Sequence, residues 1–221
     1  MDAESAVFIV DDDEAILASM KMAVESIGMS AEVFRDAGSF LAAFDVSMAG
    51  CLVLDIRMPG MSGTELHAEL RRRNIDIPVI YITGHGDIPL AVESMKAGAV
   101  GFIEKPFREQ VIIDHVQKAL AIDRKNRARR RMNRSMRNRK QTLTNRENEI
   151  MEMLISGKSN KAISYELHLS QKTVSFHRAN ILKKMGTESV IALAEKLKGG
   201  LCLKPGISCA ECPIEKCGDV F

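Results

Sequence analysis

Four separated segments of the chain each end an apolar, β-branched run on polar residues: Val10-Asp11-Asp12-Asp13-Glu14, Leu54-Asp55-Ile56-Arg57-Met58-Pro59-Gly60, Ile82-Thr83-Gly84 and, after Val100 to Ile103, Lys105-Pro106-Phe107. Runs of this kind, apolar without alternation, suit strands buried on both faces, and such strands belong to a parallel sheet covered by helices. The polar residue after each strand then lies at the carboxyl edge of the sheet, where the segments meet. Carboxylates, a hydroxyl and an ammonium are thereby brought to one place.

The same alternation of strand and helix patterns extends over the first half of the chain. Val7 to Val10, Ala31 to Phe34, Cys51 to Leu54, Val79 to Ile82 and Val100 to Ile103 read as strands, with Gly50 and Pro78 marking two of their starts. The intervening stretches have the length of right-handed crossovers, which predicts a five-stranded doubly wound α/β fold. Asp13 suits the cap of a helix carrying Ile16, Leu17, Met20 and Val24. Cys51, inside an apolar run, reads as a small buried hydrophobe. Pro106 holds Lys105 extended and suits the start of the next helix.

Close carboxylates repel one another and attract a hard divalent cation that prefers oxygen ligands, Mg2+ by default. Asp55, on the central strand, can attack a phosphoryl donor as a carboxylate nucleophile. Lys105 supplies a mobile point charge and Thr83 a hydroxyl donor to the phosphoryl oxygens. The product is an aspartyl phosphate. Taken singly, each acid is more often a cap or a solvated side chain; the ordered set, with Lys-Pro after the last strand, favours the functional reading.

From about Ala6 to about Leu120 the chain resembles the receiver domain of two-component response regulators, and Ile82 to Asp87 with Gly101 to Phe107 are similar to the NarL/FixJ type. The resemblance implies that Asp55 is the phosphoacceptor and that Asp11, Asp12 and the carbonyl of Arg57 complete the metal site. It places Asp12 directly on the metal and Asp11 largely behind water. It also implies that Thr83 and Phe102 form a switch pair, which shifts the face from Asp87 to Phe107 on phosphorylation.

Charge divides the chain. Residues 1–123 carry ten Lys and Arg against twenty Asp and Glu, whereas residues 124–140 carry ten Lys and Arg and no acid. A helix containing Val111, Ile112, His115, Val116 and Leu120 runs on into this basic stretch without Gly or Pro, although so dense a like charge repels itself. Three readings stay open: an arm touching DNA phosphates, a strap on the acidic receiver, or a solvated linker helix.

From Leu143 the pattern changes to short helices. Thr144 and Glu147 make a capping box for a first helix ending at Gly157; a second spans about Asn160 to Leu167, and His168-Leu169 turns into a third, capped by Ser170 and closed by Gly186. A fourth contains Val190, Ile191, Leu193, Ala194 and Leu197. In the third, Val174, His177, Ile181 and Met185 share the inward face, leaving Lys172, Ser175, Phe176, Ala179 and Lys183 for a major groove.

Residues 141–200 resemble the LuxR-type helix-turn-helix domain through Asn160 to Ser164 and Thr173 to Arg178. That resemblance puts Ser175, Phe176 and Ala179 near bases and Lys161, Lys172, Thr173 and Lys183 on phosphates. Surface solubility is the competing account of Lys183 and Lys184. No Arg or Asn is well placed for a bidentate base contact, which points to thymine methyl groups and DNA shape.

Four of the five cysteines, Cys202, Cys209, Cys212 and Cys217, lie in the last segment. Binding of Zn2+ or an iron–sulfur cluster, thiol redox sensing and an inert tail are all open to it. The expected organisation is a receiver at 1–122, a basic linker helix at 123–140, a LuxR-type domain at 141–200 and a Cys-rich tail at 201–221.

No apolar run reaches a membrane-spanning length and the amino terminus lacks a signal pattern, so a cytoplasmic protein is expected. The whole predicts a transcriptional regulator, not an enzyme, phosphorylated by a sensor histidine kinase. By family analogy it would dimerise on double-stranded DNA and activate transcription with RNA polymerase. Two rivals are a regulator gated through the cysteine tail and an aspartate-nucleophile phosphohydrolase; the latter lacks its general acid because Arg57, not a second Asp, follows Asp55 by two residues.

Overall fold

A computed structural model describes residues 5–84, 95 and 98–198. The first half forms one parallel sheet of strands β1 (Ala6–Val10), β2 (Ser30–Phe34), β3 (Gly50–Asp55), β4 (Val79–Thr83) and β5 (Gly101–Glu104). Their spatial order is β2-β1-β3-β4-β5, which puts Asp55 at the end of the central strand. β1, β3 and β4 are buried throughout, as their unbroken apolar runs require, whereas the edge strands β2 and β5 include exposed residues.

Alternate strand residues feed two cores. Val7, Ile9, Val53, Ile80 and Ile82 pack with Leu17, Met20 and Val24 of α1 (Glu14–Ser26) and with Ile112, Val116 and Leu120 of α4 (Glu109–Gln141). On the other face, Phe8, Val10, Leu52, Leu54 and Tyr81 pack with Phe40 of α2 (Ala37–Ala43) and Leu66 and Leu70 of α3 (Gly63–Arg72). This is the expected doubly wound α/β arrangement. Local chemistry starts the helices: Asp13 accepts from the N–H groups of Ala15 and Ile16 at α1, and Ser62 with Glu65 forms a capping box at α3. Pro106 departs from expectation, because α4 begins at Glu109 and the Lys105-Pro106 bond, which is cis, lies in the bend before it.

The chain divides into two compact units after Arg127, within α4. In the second unit, α5 (Asn145–Ile155), α6 (Asn160–Glu166), α7 (Gln171–Met185) and α8 (Val190–Lys198) surround Ile150, Met151, Leu154, Ile163, Val174, Ile181, Leu193 and Leu197. Met136, from the arginine-rich stretch of α4, is buried in this core. Among the described residues no helix is long and apolar enough to cross a membrane. The cysteine tail and most of the stretch between β4 and β5, including Asp87, lie outside the described residues.

Candidate phosphoacceptor pocket and nucleic-acid interface

The carboxyl edge of the sheet gathers the first site. Asp11 directly follows β1, Asp55 ends β3 and Thr83 ends β4, and all three are buried. Asp12 is exposed beside them, and carboxylate oxygens of Asp11, Asp12 and Asp55 lie within 4.8 Å of one another. Lys105, one residue past β5, donates to Asp11 Oδ2 at 2.7 Å, and its Nζ lies 3.2 Å from Asp55 Oδ1. Asp11 Oδ1 also accepts from the Asp13 N–H, so the turn that caps α1 orients the acid behind the cap.

One ammonium does not neutralise this pocket. Burial pushes the Asp55 carboxyl above its ordinary range; Lys105 works against that shift, while Asp11 and Asp12 reinforce it. For Lys105, burial opposes the charge, but its bonds to Asp11 and then Asp55 prevail and hold its pKa above the usual value. Three hard oxygen donors carrying unbalanced negative charge fit a divalent cation of the Mg2+ kind.

The other expected receiver residues take separate positions. Thr83 donates its hydroxyl to the Gly84 carbonyl, Phe102 on β5 is 43% exposed, and Arg57 is exposed in the loop after β3, between the buried Ile56 and Met58. Sequence reasoning missed Gly63: a Cβ there would lie 2.1 Å from the Asp55 carbonyl oxygen, so only glycine lets α3 start this close to the acid. It also missed the buried pair in which His67 Nδ1 lies 2.9 Å from the Tyr81 hydroxyl, and the bond from the Gly50 N–H to the buried Asp123 carboxylate. Buried, and beside Asp123, the Cys51 thiol is pushed up to about 12, as an unreactive core residue would be.

In the second unit α6 and α7 make the helix-turn-helix, with His168 at positive φ in the turn and Gly186 in the left-handed conformation that closes α7. Val174, Ile181 and Met185 are buried, and His177 is half-buried beside them. Lys172, Ser175, Phe176, Ala179 and Lys183 are exposed on α7, Lys161 is exposed on α6, and Thr173 is half-buried at the α7 start. Phe176 is 64% exposed, its ring edge-on to that of His177 with centroids 6.0 Å apart. Asn160, which the sequence marks as the start of this helix without assigning its side chain a role, donates to Ser175 Oγ at 3.1 Å and so fixes the start of α6 against α7. Lys184 is diverted inward, its Nζ 2.6 Å from the buried Glu147, and that contact holds the Glu147 carboxyl below its usual range.

Residues 7–117 match the response regulator receiver domain, and residues 141–197 match the bacterial regulatory proteins of the luxR family. The chain is a two-component response regulator. It is 42% identical over 202 residues to the transcriptional regulatory protein FixJ of Rhizobium meliloti (strain 1021), covering 88% of this chain and 95% of that one. With the response regulator protein TodT of Pseudomonas putida F1 it shares 39% over 203 residues, 90% of this chain and 89% of TodT. The solved structure of the response regulator StyR covers 89% of this chain and 99% of its own at 38% identity and a TM-score of 0.78. This response regulator therefore joins a phosphorylatable receiver to a LuxR-type DNA-binding domain, in a family of transcription regulators. A receiver implies a sensor kinase as partner, and the luxR-family domain implies binding to DNA.

Proposed function

We propose that Asp55 is the residue phosphorylated by the sensor histidine kinase and that its phosphorylation controls DNA binding. The observation that carries this reading is the placement of Asp11, Asp12, Asp55 and Lys105 around one point at the carboxyl edge of the sheet. An Asp55 carboxylate oxygen attacks the phosphorus of the kinase's phosphohistidine. The new bond is O–P, the bond broken is P–N, and the departing imidazole takes up a proton. Lys105 stands within reach of a phosphoryl oxygen on Asp55, and Thr83, at the end of the adjacent strand, offers its hydroxyl to another. Asp11, Asp12, Asp55 and the Arg57 carbonyl would hold Mg2+, which when bound neutralises phosphoryl oxygens.

The Thr83 hydroxyl then turns from the Gly84 carbonyl toward the phosphoryl group, and the exposed Phe102 ring moves inward. That change releases the DNA-binding domain and favours a homodimer on a two-half-site operator, where it recruits RNA polymerase and activates transcription. Phe176, Ser175 and Ala179 read base edges and methyl groups, while Lys161, Lys172, Thr173 and Lys183 serve phosphates. The receiver occupies residues 1–122, the linker 123–140 and the DNA-binding domain 141–200 of a cytoplasmic protein that is not itself an enzyme. The tail at 201–221 lies beyond both family matches and has no part in this reading.

The test is mass and DNA affinity with and without acetyl phosphate and Mg2+. Wild type should dimerise and bind more tightly when phosphorylated, and Asp55→Asn should do neither. A phosphorylation response that survives in D55N would remove Asp55 from the role.

A further inference from the structure

Ten cationic residues in 124–140 need an explanation that the receiver and the helix-turn-helix do not supply. The stretch is helical throughout, and some of its charges have internal work. Arg127 donates to the carbonyls of Ser47 and Met48, Arg139 donates to the Met185 carbonyl, and Lys140 lies 3.7 Å from Glu152. Arg134 and Arg137, however, are exposed. Met136 is buried in the second unit's core, and at 3.6 residues per turn Arg134 lies about 160° round the helix from it and Arg137 about 100°.

The side of α4 that carries Met136 and Arg139 is fixed to the recognition helix, which leaves Arg134 and Arg137 turned away from that contact. Arg139 Nη1 caps the end of α7 at 2.9 Å from the Met185 carbonyl oxygen, and its guanidinium fills the place where a Cβ on Gly186 would lie. With Met136 it locks the last turns of α4 to α7 within one compact unit. Arg134 and Arg137 stand three residues apart and both are exposed, and like charges so placed repel one another along a helix. A polyanion laid along the helix would reverse that cost.

We propose that the Arg134–Arg137 face of α4 is a second DNA contact, which binds backbone phosphates of the duplex outside the bases reached by α7. This rests on the DNA-binding role of the LuxR-type domain and adds to it a contact without sequence preference. Guanidinium groups on a rigid helix suit phosphate oxygens, and their contribution is counterion release, so it appears as salt dependence rather than as specificity.

The test uses the full chain, phosphorylated with acetyl phosphate and Mg2+ throughout, and two duplexes of about 30 base pairs, one carrying a site selected from a random library and one a scrambled sequence. Affinity is followed between about 50 and about 300 mM KCl. R134Q/R137Q should lower the slope of log affinity against log salt by about 2 per bound protomer, roughly 0.9 for each lost phosphate contact. The loss should be equal on both duplexes, leaving their affinity ratio unchanged, and R134K/R137K should keep the wild-type slope. An unchanged slope in R134Q/R137Q overturns the proposal, as does a rise in its affinity, which would mean the arginines are held elsewhere on the chain. A slope loss confined to the selected site also overturns it. Failure of wild type to bind either duplex would overturn the DNA-binding role itself, a different result from binding with an unaltered slope.

Discussion

Gly63 stands against the backbone of Asp55, where an added Cβ would lie 2.1 Å from the Asp55 carbonyl oxygen and 3.0 Å from its carbonyl carbon. Neither atom is the end of a flexible side chain. Gly63→Ala must therefore move the start of α3 or the end of β3, and overpacking of this kind costs about 1–3 kcal/mol. We expect a lower Tm and slower labelling by acetyl phosphate. Gly84→Ala is the control for stability, since a Cβ there meets nothing within 4 Å among the described residues. Equal melting temperatures for the two variants would refute the steric argument.

The charge state of Asp55 gives a pH signature. Its folded pKa is raised from 3.8, first by burial and then by Asp11 and Asp12 against the pull of Lys105. A carboxyl raised in this way binds its proton more tightly in the folded state. Ionised Asp55 therefore costs stability above the folded pKa, and the cost disappears as pH falls toward the unfolded value. In the absence of Mg2+, Asp55→Asn should be more stable than wild type at pH 7.5, and the difference should shrink at pH 4. Denaturant melts at both values decide it; a less stable D55N at pH 7.5 would contradict the assignment.

Divalent metal should offset the same cost. Asp12 is exposed and contributes a ligand oxygen to the cluster, so Asp12→Ala can remove affinity without opening the core. Mg2+ at one hundred times its dissociation constant stabilises a folded protein by about 2.7 kcal/mol. Wild type should show a Tm that rises with Mg2+, and D12A should show little rise at the same concentrations, from a metal-free Tm no lower than that of wild type because the repulsion of Asp55 by Asp12 is gone. A Mg2+ response undiminished in D12A would exclude Asp12 as a ligand.

The pocket was legible in the chain because each of its members follows a strand, and strands of a parallel sheet align their ends. The β1, β3 and β4 runs are apolar without interruption, so Asp11, Asp55 and Thr83 stand out as the first polar groups after them. Contacts between distant segments left no such mark. Asp123 and Gly50 are 73 residues apart, and nothing near either one names the other. Met136 was hidden because two methionines among ten cationic residues make no convincing stripe, and Met132 stays exposed, yet Met136 decides which compact unit the last turns of α4 join. Gly63 could have been suspected only from its place at the first turn of α3, just past the loop after Asp55.

Lys183 and Lys184 are neighbours with the same composition and separate tasks. Lys183 is exposed on the recognition helix, whereas Lys184 reaches the buried Glu147, which also accepts from the Thr144 N–H at the α5 cap. Lys184→Met leaves that acceptor short of a partner, at a cost of about 1–3 kcal/mol. Lys183→Met should change stability by no more than about 0.5 kcal/mol, as surface substitutions usually do. The effects on DNA should run the other way: K183M should weaken binding to any duplex and lower the salt slope by about 0.9, and K184M, once folded, should keep the wild-type slope. The Glu147 pKa is held down, chiefly by Lys184, so the pair stabilises above the unfolded value of 4.5 and its contribution is lost as pH falls through the folded pKa. The stability gap between wild type and K184M should therefore narrow in acid. A gap independent of pH would mean that Lys184 acts through the packing of its stem and not through its charge.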